Sequence, residues 1–357
     1  MAEPRVRENV PLAPLTTIGI GGPARYFITA ATVDELGEAL DWASQRSLPV
    51  FVLGGGSNLL ISDEGFSGLV IQIGLRGVVV ESEDRYATVK VAAAEPWDSF
   101  VETATGKGWA GVECLSGIPG STGATPIQNV GAYGQDVSET IVRVETLDRM
   151  TGRVVPFTNA ECQFGYRASR FKNHEPGRYV VLNVTFRLER GGSASIRYPE
   201  LQKYLDEHEV AVADLASVRK AVIAIRKRKG MVIDPSDPDT RSDGSFFMNP
   251  VIRADELGEF GGPSFPAGDG LVKLSAAWLI ENAGFTKGYR HGNVGLSSKH
   301  SLAIINRGGG TAAEVRELVE LIQSRVRERF GVELQPEPNF IGFGANERWA
   351  MVWNDER

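Results

Sequence analysis

The segment Asp243-Gly244-Ser245-Phe246-Phe247-Met248-Asn249-Pro250 sets a small hydroxyl between an aspartyl-glycine turn, two aromatic rings and an Asn-Pro stop. A Ser after Gly is ordinarily a turn residue, but its companions make Ser245 a candidate site residue, positioned and not merely present. Two glycine-rich loops lie upstream: Gly54-Gly55-Gly56-Ser57-Asn58-Leu59, directly after the apolar run Val50–Leu53, and Gly117-Ile118-Pro119-Gly120-Ser121-Thr122-Gly123-Ala124. Glycine reaches positive φ and carries no Cβ, so such loops let backbone N–H groups converge on an anion, here a phosphate or pyrophosphate. No Gly-Lys-Ser/Thr follows either loop, so ATP hydrolysis of the P-loop type is poorly supported. Two such loops in one lobe suggest a dinucleotide gripped from both sides; the competing reading is two tight turns in a chain with 41 glycines. Gly165-Tyr166-Arg167 and Leu334-Gln335-Pro336-Glu337-Pro338-Asn339-Phe340 complete the set. Alone, Arg167 reads as a snorkelling surface side chain and Glu337 as solvated loop.

The elements that must position these residues alternate in type. Val50–Leu53, Leu69–Ile73, Ala87–Val91 and Tyr179–Val184 read as strands. Thr32-Val33-Asp34-Glu35 is a capping box that opens a helix with Leu36, Leu40 and Ala43 on one face, and Pro96 suits the first position of a helix through Ala104. Leu215–Lys229 reads as a helix with a basic end, Ser275–Asn282 as a short buried helix, and Thr311–Glu314 caps a helix reaching Phe330-Gly331. Gly19-Ile20-Gly21-Gly22-Pro23-Ala24 imitates a dinucleotide fingerprint, yet Pro23 falls where the helix would start and Tyr26–Ile28 reads as strand, so it is taken as a turn. The class is mixed α/β (α+β). The polar connector Glu189–Ser193 divides the chain into 14–188, with lobes of about 14–78 and 79–188, and 189–345.

A chain of 357 residues exceeds what one core usually fills, so two or three lobes are expected. A net charge of −7 and a pI of about 5.4 argue against a nucleic-acid or anionic-membrane partner. The run Arg226-Lys227-Arg228-Lys229 is the local basic exception, suited to a phosphorylated ligand. Cys114 and Cys162 have no metal-ligand spacing and read as ordinary semi-buried thiols, which fits a reducing compartment and no metal. Neither a signal peptide nor a membrane span is legible, so a cytoplasmic location is expected.

With these blocks assembled, the chain resembles the UDP-N-acetylenolpyruvoylglucosamine reductase family, flavoenzymes of peptidoglycan (cell-wall) precursor synthesis, from about Pro14 through Gly342. The matching blocks are Thr16–Ala24, Gly54–Leu60, Gly117–Gly134 with Pro126-Ile127-Gln128-Asn129-Val130-Gly131-Ala132-Tyr133, Tyr166-Arg167, Gly244–Pro250 and Pro336-Glu337. The resemblance implies a two-lobed FAD-binding domain of the vanillyl-alcohol-oxidase type followed by a smaller α/β substrate domain. It implies noncovalent FAD held by Gly54, Gly55, Gly56, Ser57, Asn58, Leu59, Gly117, Gly120, Ser121, Gly123, Ala124, Asn129, Gly131, Ala132 and Tyr133. NADPH is the implied hydride-donating cosubstrate, UDP-N-acetylglucosamine enolpyruvate the substrate, and a monomer the expected state.

The resemblance also implies roles. Ser245 matches the family's proton-donating serine, and Arg167 and Glu337 match the arginine and glutamate that activate the substrate carboxylate. These roles suit the residue types: an arginine fork stabilises charge accumulating on a carboxylate in a water-poor site. A Glu337 that is protonated or shares a proton can hold the same group without repelling it. Tyr166, Tyr198, Lys229 and Asn249 are implied substrate contacts, with Lys227 or Arg226 as alternatives to Lys229 because Gly230–Ile233 looks like a small insertion. An oxidase of the same fold is the nearest alternative, but it often tethers flavin through a histidine in the first domain, and no histidine precedes His174. A nucleotide-sugar-binding protein without chemistry is the remaining one, against which the retention of Ser245, Arg167 and Glu337 argues.

Overall fold

The computed structural model describes residues 4–344 except 211 and 259; the expected domain end at Ala345 lies outside the described residues. The first lobe contains β1 (Arg7–Pro11), β2 (Pro23–Ala30), α1 (Val33–Ser44), β3 (Val50–Leu53), β4 (Leu59–Ile61) and β5 (Phe66–Ile73). Its sheet has the order β1-β2-β5-β3, with β2, β5 and β3 parallel and β1 antiparallel to β2. Thr32 Oγ1 caps α1 by accepting from Glu35 N at 3.1 Å, but the Glu35 carboxylate accepts from Ala31 N at 2.7 Å, one residue short of the expected return bond. Leu36, Ala39 and Ala43 form the fully buried face of α1, while Leu40 is half-buried. β2 begins at Pro23, so the Gly19–Ala24 run is a turn into a strand.

The second lobe runs through β6 (Val78–Glu83), β7 (Tyr86–Ala92), α2 (Trp97–Gly106), β8 (Trp109–Ala110), the short hairpin of β9 (Gly131–Ala132) and β10 (Gln135–Asp136), β11 (Ile141–Asp148), β12 (Arg153–Thr158) and β13 (Tyr179–Arg190). The sheet order is β12-β11-β13-β7-β6, and every pairing is antiparallel. Pro96 is the N-cap of α2, not its first residue: its ψ of 127° is extended, and the helix runs on to Gly106. One apolar core joins the lobes, from Ile28, Leu69 and Ile71 across to Val89, Val184 and the tilted rings of Trp97, Phe100 and Phe186. Cys114 and Cys162 are fully buried, not half-buried, and burial, the largest influence on each, pushes both thiols up to about 12. They are therefore inert as nucleophiles.

The remaining elements are α3 (Pro199–Glu207), α4 (Leu215–Arg228), β14 (Val251–Arg253), β15 (Ser264–Pro266), β16 (Leu271–Leu274), α5 (Ala276–Asn282), β17 (Arg290–His291), β18 (Val294–Leu296), β19 (Ile304–Asn306), α6 (Ala312–Phe330) and β20 (Asn339–Ile341). A full capping box between Thr311 and Glu314 starts α6, and Gly331 in the left-handed region ends it. α5, α6, β18 and β19 enclose a separate core that also receives Ile18, Ile20 and Leu60 from the first lobe. Two further links cross the Glu189–Ser193 connector. β20 pairs in parallel with β4, and α3 and α4 pack Leu201, Leu205, Val218, Val222 and Ile225 around Cys114 of the second lobe. Arg219 of α4 forks onto Asp98 of α2 at 2.6 and 3.0 Å. Among the described residues no helix is long and apolar enough to cross a membrane.

Candidate active site

β3 delivers the first glycine loop, and the stretch after the 3₁₀ turn at Glu113–Leu115 delivers the second. The loops touch backbone to backbone: a Cβ on Gly55 would lie 2.6 Å from Gly120 Cα, closer than any side chain could come without shifting the chain. Gly120 itself sits at φ +114°, a backbone conformation side chains rarely adopt. Ser57 Oγ donates to Pro119 O at 3.2 Å, fastening the two loops together. They form one wall of a cavity whose apolar side is made by Phe51, Ile73, Trp97, Val181 and others. Gly54, Gly55, Gly56, Ser57, Asn58, Leu59, Gly120, Ser121, Gly123, Ala124, Gly131 and Ala132 all line it, as the sequence suggests for a bound cofactor. Gly117, Asn129 and Tyr133 do not. Gly117 N donates to Asp98 Oδ1 at 2.6 Å, which anchors the second loop to α2.

The other end of the cavity brings together Arg167, Ser245 and Glu337. Ser245 is held by an extended segment spliced between two others. Phe246 N donates to Leu302 O at 2.8 Å, and Glu337 N donates to Phe246 O at 2.9 Å, while the Phe246 and Phe247 rings are buried. Arg167 adopts φ +53°, uncommon for a residue with a side chain. Its guanidinium donates through Nη2 to Gly131 O at 2.7 Å and through Nη1 to Asn129 O at 3.4 Å, and its Nε stands 3.3 Å from Glu337 Oε1. Asn129 is thus a bracket: its amide donates to Gly165 O at 2.9 Å and its Oδ1 accepts from Ser138 N at 3.2 Å. Asn58 ties the first loop to the same end, donating to Gln128 Oε1 at 2.7 Å and Glu337 O at 3.3 Å.

The expected substrate contacts form a rim outside the cavity lining. Tyr166 and Tyr198 are each 45% exposed, and the Tyr133 and Tyr198 rings meet edge to face at 5.6 Å. Burial raises the Tyr166 hydroxyl, opposed first by the charge of Arg167 and then by hydrogen bonds from Asn249, whose Oδ1 also accepts from Ala276 N at the start of α5. Lys229 pairs with Glu200 at 2.6 Å, and Lys227 is exposed. Of the basic alternatives it is Arg226 that lines the cavity; it donates to Met231 O at 2.8 Å, and its buried Nε has no partner among the described residues. Burial, the dominant effect, lowers the Arg226 guanidinium below its ordinary value.

Sequence reasoning passed over Gln128, Thr125, Trp97 and Asp243 as cavity residues. Gln128 stands inside a quoted block. Asp243 reads as turn chemistry and gives no other signal. The arrangement combines a backbone-lined loop pair suited to a pyrophosphate, an apolar slot suited to a flat ring, and a terminal cluster able to bind a carboxylate and move a proton. Arg226 Nε and Asp243 Oδ2, on two cavity-lining residues, are buried polar atoms without a hydrogen-bond partner among the described residues.

Comparison with known proteins agrees with this geometry. Residues 235–341 match the family described as UDP-N-acetylenolpyruvoylglucosamine reductase, C-terminal domain, and residues 24–158 match the FAD binding domain family. The chain is similar to the UDP-N-acetylenolpyruvoylglucosamine reductase of Thermobifida fusca, 49% identical over 94% of this chain and 97% of that protein. It is also similar to that of Streptomyces coelicolor, 47% identical over 94% of this chain and 90% of the other. A crystal structure of the Thermus caldophilus UDP-N-acetylenolpyruvylglucosamine reductase superposes with a TM-score of 0.65 at 28% identity, over 94% of this chain and 99% of that one.

Proposed function

The chain belongs to the UDP-N-acetylenolpyruvoylglucosamine reductase family, and on that premise we propose that Ser245, Arg167 and Glu337 carry its chemistry. The protein is an NADPH-dependent flavin oxidoreductase that reduces the enolpyruvyl group of UDP-N-acetylglucosamine enolpyruvate to UDP-N-acetylmuramate in peptidoglycan synthesis. Its fold is a two-lobed FAD-binding domain followed by a smaller α/β substrate domain. The membership, which spans 94% of the chain, leaves the oxidase reading without support. A monomer in the cytoplasm is the proposed working state.

Bound FAD supplies hydride transfer from NADPH to the substrate's methylene carbon. The residues that would hold it are those of the two glycine loops, with Gly131 and Ala132, and their close packing leaves a cradle that a Cβ would fill. Arg167 binds the substrate carboxylate, where charge accumulates as an enolate-like dianion. Its fork acts from a fixed position because Gly131 O and Asn129 O hold the guanidinium. Glu337 aligns Arg167 and faces the same carboxylate. Ser245 Oγ gives its proton to the neighbouring carbon, an act open to so weak an acid because the carbanion is strongly basic. Arg226 is proposed for the diphosphate in preference to Lys229, since it lines the cavity and Lys229 is engaged by Glu200.

The observation that carries this reading is that Arg167, Glu337 and Ser245, distant in sequence, share the end of the cavity that the glycine loops open. The test is the visible spectrum of the purified protein, followed by anaerobic NADPH with and without UDP-N-acetylglucosamine enolpyruvate. A yellow protein bleached by NADPH and recoloured by the substrate is expected. A colourless protein that added FAD does not reconstitute would overturn the reading.

A further inference from the structure

Asp243 lies two residues before Ser245, is 6% exposed, and lines the same cavity. Its Oδ1 accepts from Thr17 Oγ1 at 3.3 Å, and a hydrogen bond from the Leu59 backbone N–H reaches the carboxyl group. Oδ2 is buried, with no hydrogen-bond partner among the described residues. No Lys, Arg or His is among the groups that act on it. The ionisable groups on the elements around it are Asp239 and Arg241 on its own segment, Arg307 just beyond β19, to which Ser242 is bridged, and Arg167, Glu337, Arg226 and Tyr179 around the cavity. A carboxylate in such a place would be a buried, unpaired charge, which proteins avoid by neutralising the group.

We propose that Asp243 is a further functional residue of this site: a neutral carboxylic acid in the cavity wall that holds a proton against negative charge arriving on the flavin. The inference rests on the flavoenzyme reading above. Burial pushes the Asp243 carboxyl up to about 8, against the smaller opposing bonds from Thr17 and Leu59, so the acid form prevails at neutral pH. Above that pH the carboxyl is ionised in the oxidised protein. When hydride from NADPH, released as NADP, adds charge to the cavity, Asp243 then takes one proton from water. Balance is kept without another reactant.

The experiment uses flavin-loaded protein and Asp243→Asn, which keeps shape and a donor but cannot ionise. First, the oxidised flavin's absorbance is followed from pH 6 to 10. Wild type is expected to show a one-proton transition near pH 8 that Asp243→Asn lacks. Second, the flavin midpoint potential is measured over the same range. Above the transition wild type takes up one more proton per two electrons than the variant, a slope steeper by about 30 mV per pH unit. Superimposable pH profiles of spectrum and potential in the two proteins would overturn the proposal, as would the same transition in both. Should the variant not fold or hold flavin, the reduced-minus-oxidised infrared difference spectrum of wild type decides. A protonated-carboxyl band that appears on reduction at pH 9 and shifts with ¹³C-aspartate supports it, and its absence sinks it. A protein that never binds flavin refutes the flavoenzyme reading instead, so the two failures are distinguishable.

Discussion

Arg167 Nε stands 3.3 Å from Glu337 Oε1, and this contact joins a left-handed residue of the second lobe to the chain segment leading into β20. Two residues so joined, and aimed at one developing charge, should not contribute independently. Removing the Arg167 fork is expected to cost on the order of 3 kcal/mol in the transition state, the scale of losing a strong oxyanion donor. Arg167→Ala combined with Glu337→Gln should then lose distinctly less than the product of the single losses in the rate of flavin reoxidation by substrate. Strictly multiplicative losses would refute the shared role.

Ser245 is required, on this reading, only after hydride has reached the substrate. Ser245→Ala should therefore be reduced by NADPH at close to the wild-type rate, while its reoxidation by the enolpyruvyl substrate slows by roughly 10²-fold or more, the scale of a positioned acid. Stopped-flow absorbance separates the two half-reactions. Equal slowing of both would make Ser245 a structural residue.

Much of this site was legible because its determinants are local. Glycine loops after an apolar run, the Thr311–Glu314 box and the Phe246-Phe247 anchor announce themselves by residue type, and the structure places them accordingly. What was not legible depends on which face meets which. Arg226 and Lys229 are neighbours in one basic run, and only the packing of α4 against Cys114 turns the first inward and leaves the second to Glu200. Asp243 was hidden by its neighbour: Asp-Gly is turn chemistry anywhere, and the groups that hydrogen-bond its carboxyl, Thr17 and the Leu59 backbone, are remote in sequence. The pairing of β20 with β4 is likewise a long-range contact that no local pattern encodes.

The approach of Gly55 to Gly120 makes a steric prediction. A side chain at Gly55 must push the loops apart, since its Cβ meets the Gly120 backbone at 2.6 Å. One at Gly120 is strained by φ +114° and displaces Ser57 Oγ, 2.6 Å from its Cβ, from the bond that fastens the loops. Gly55→Val and Gly120→Val are expected to fold, by circular dichroism, yet to be purified without stoichiometric flavin and to need a large excess of FAD for reconstitution. Folded variants that keep FAD at native affinity would show that the loops do not form the cradle.

His300 gives the clearest dependence on pH. Burial first, then the charges of Lys229, Lys287 and Arg226, hold its imidazole down to about 4, whereas an unfolded histidine titrates near 6.5. Between those values the unfolded chain binds a proton that the folded chain does not. Stability therefore rises with pH across the window and is lost as pH falls from about 6.5 toward 4. Carboxylates such as Asp98 and Asp148 are held below their ordinary 3.8, against burial, by Arg219 and Arg178, so their contribution is lost mainly below this window. His300→Gln should accordingly flatten the fall in Tm between pH 6.5 and 4 while leaving the steeper loss at lower pH in place. Anionic substrate docked near these cations would offset their repulsion of an imidazolium, so binding at pH 5 should take up protons in wild type and fewer in the variant. Calorimetry in two buffers of different ionisation enthalpy measures that uptake. Identical acid slopes and identical proton uptake in the two proteins would show that His300 does not titrate as its surroundings require.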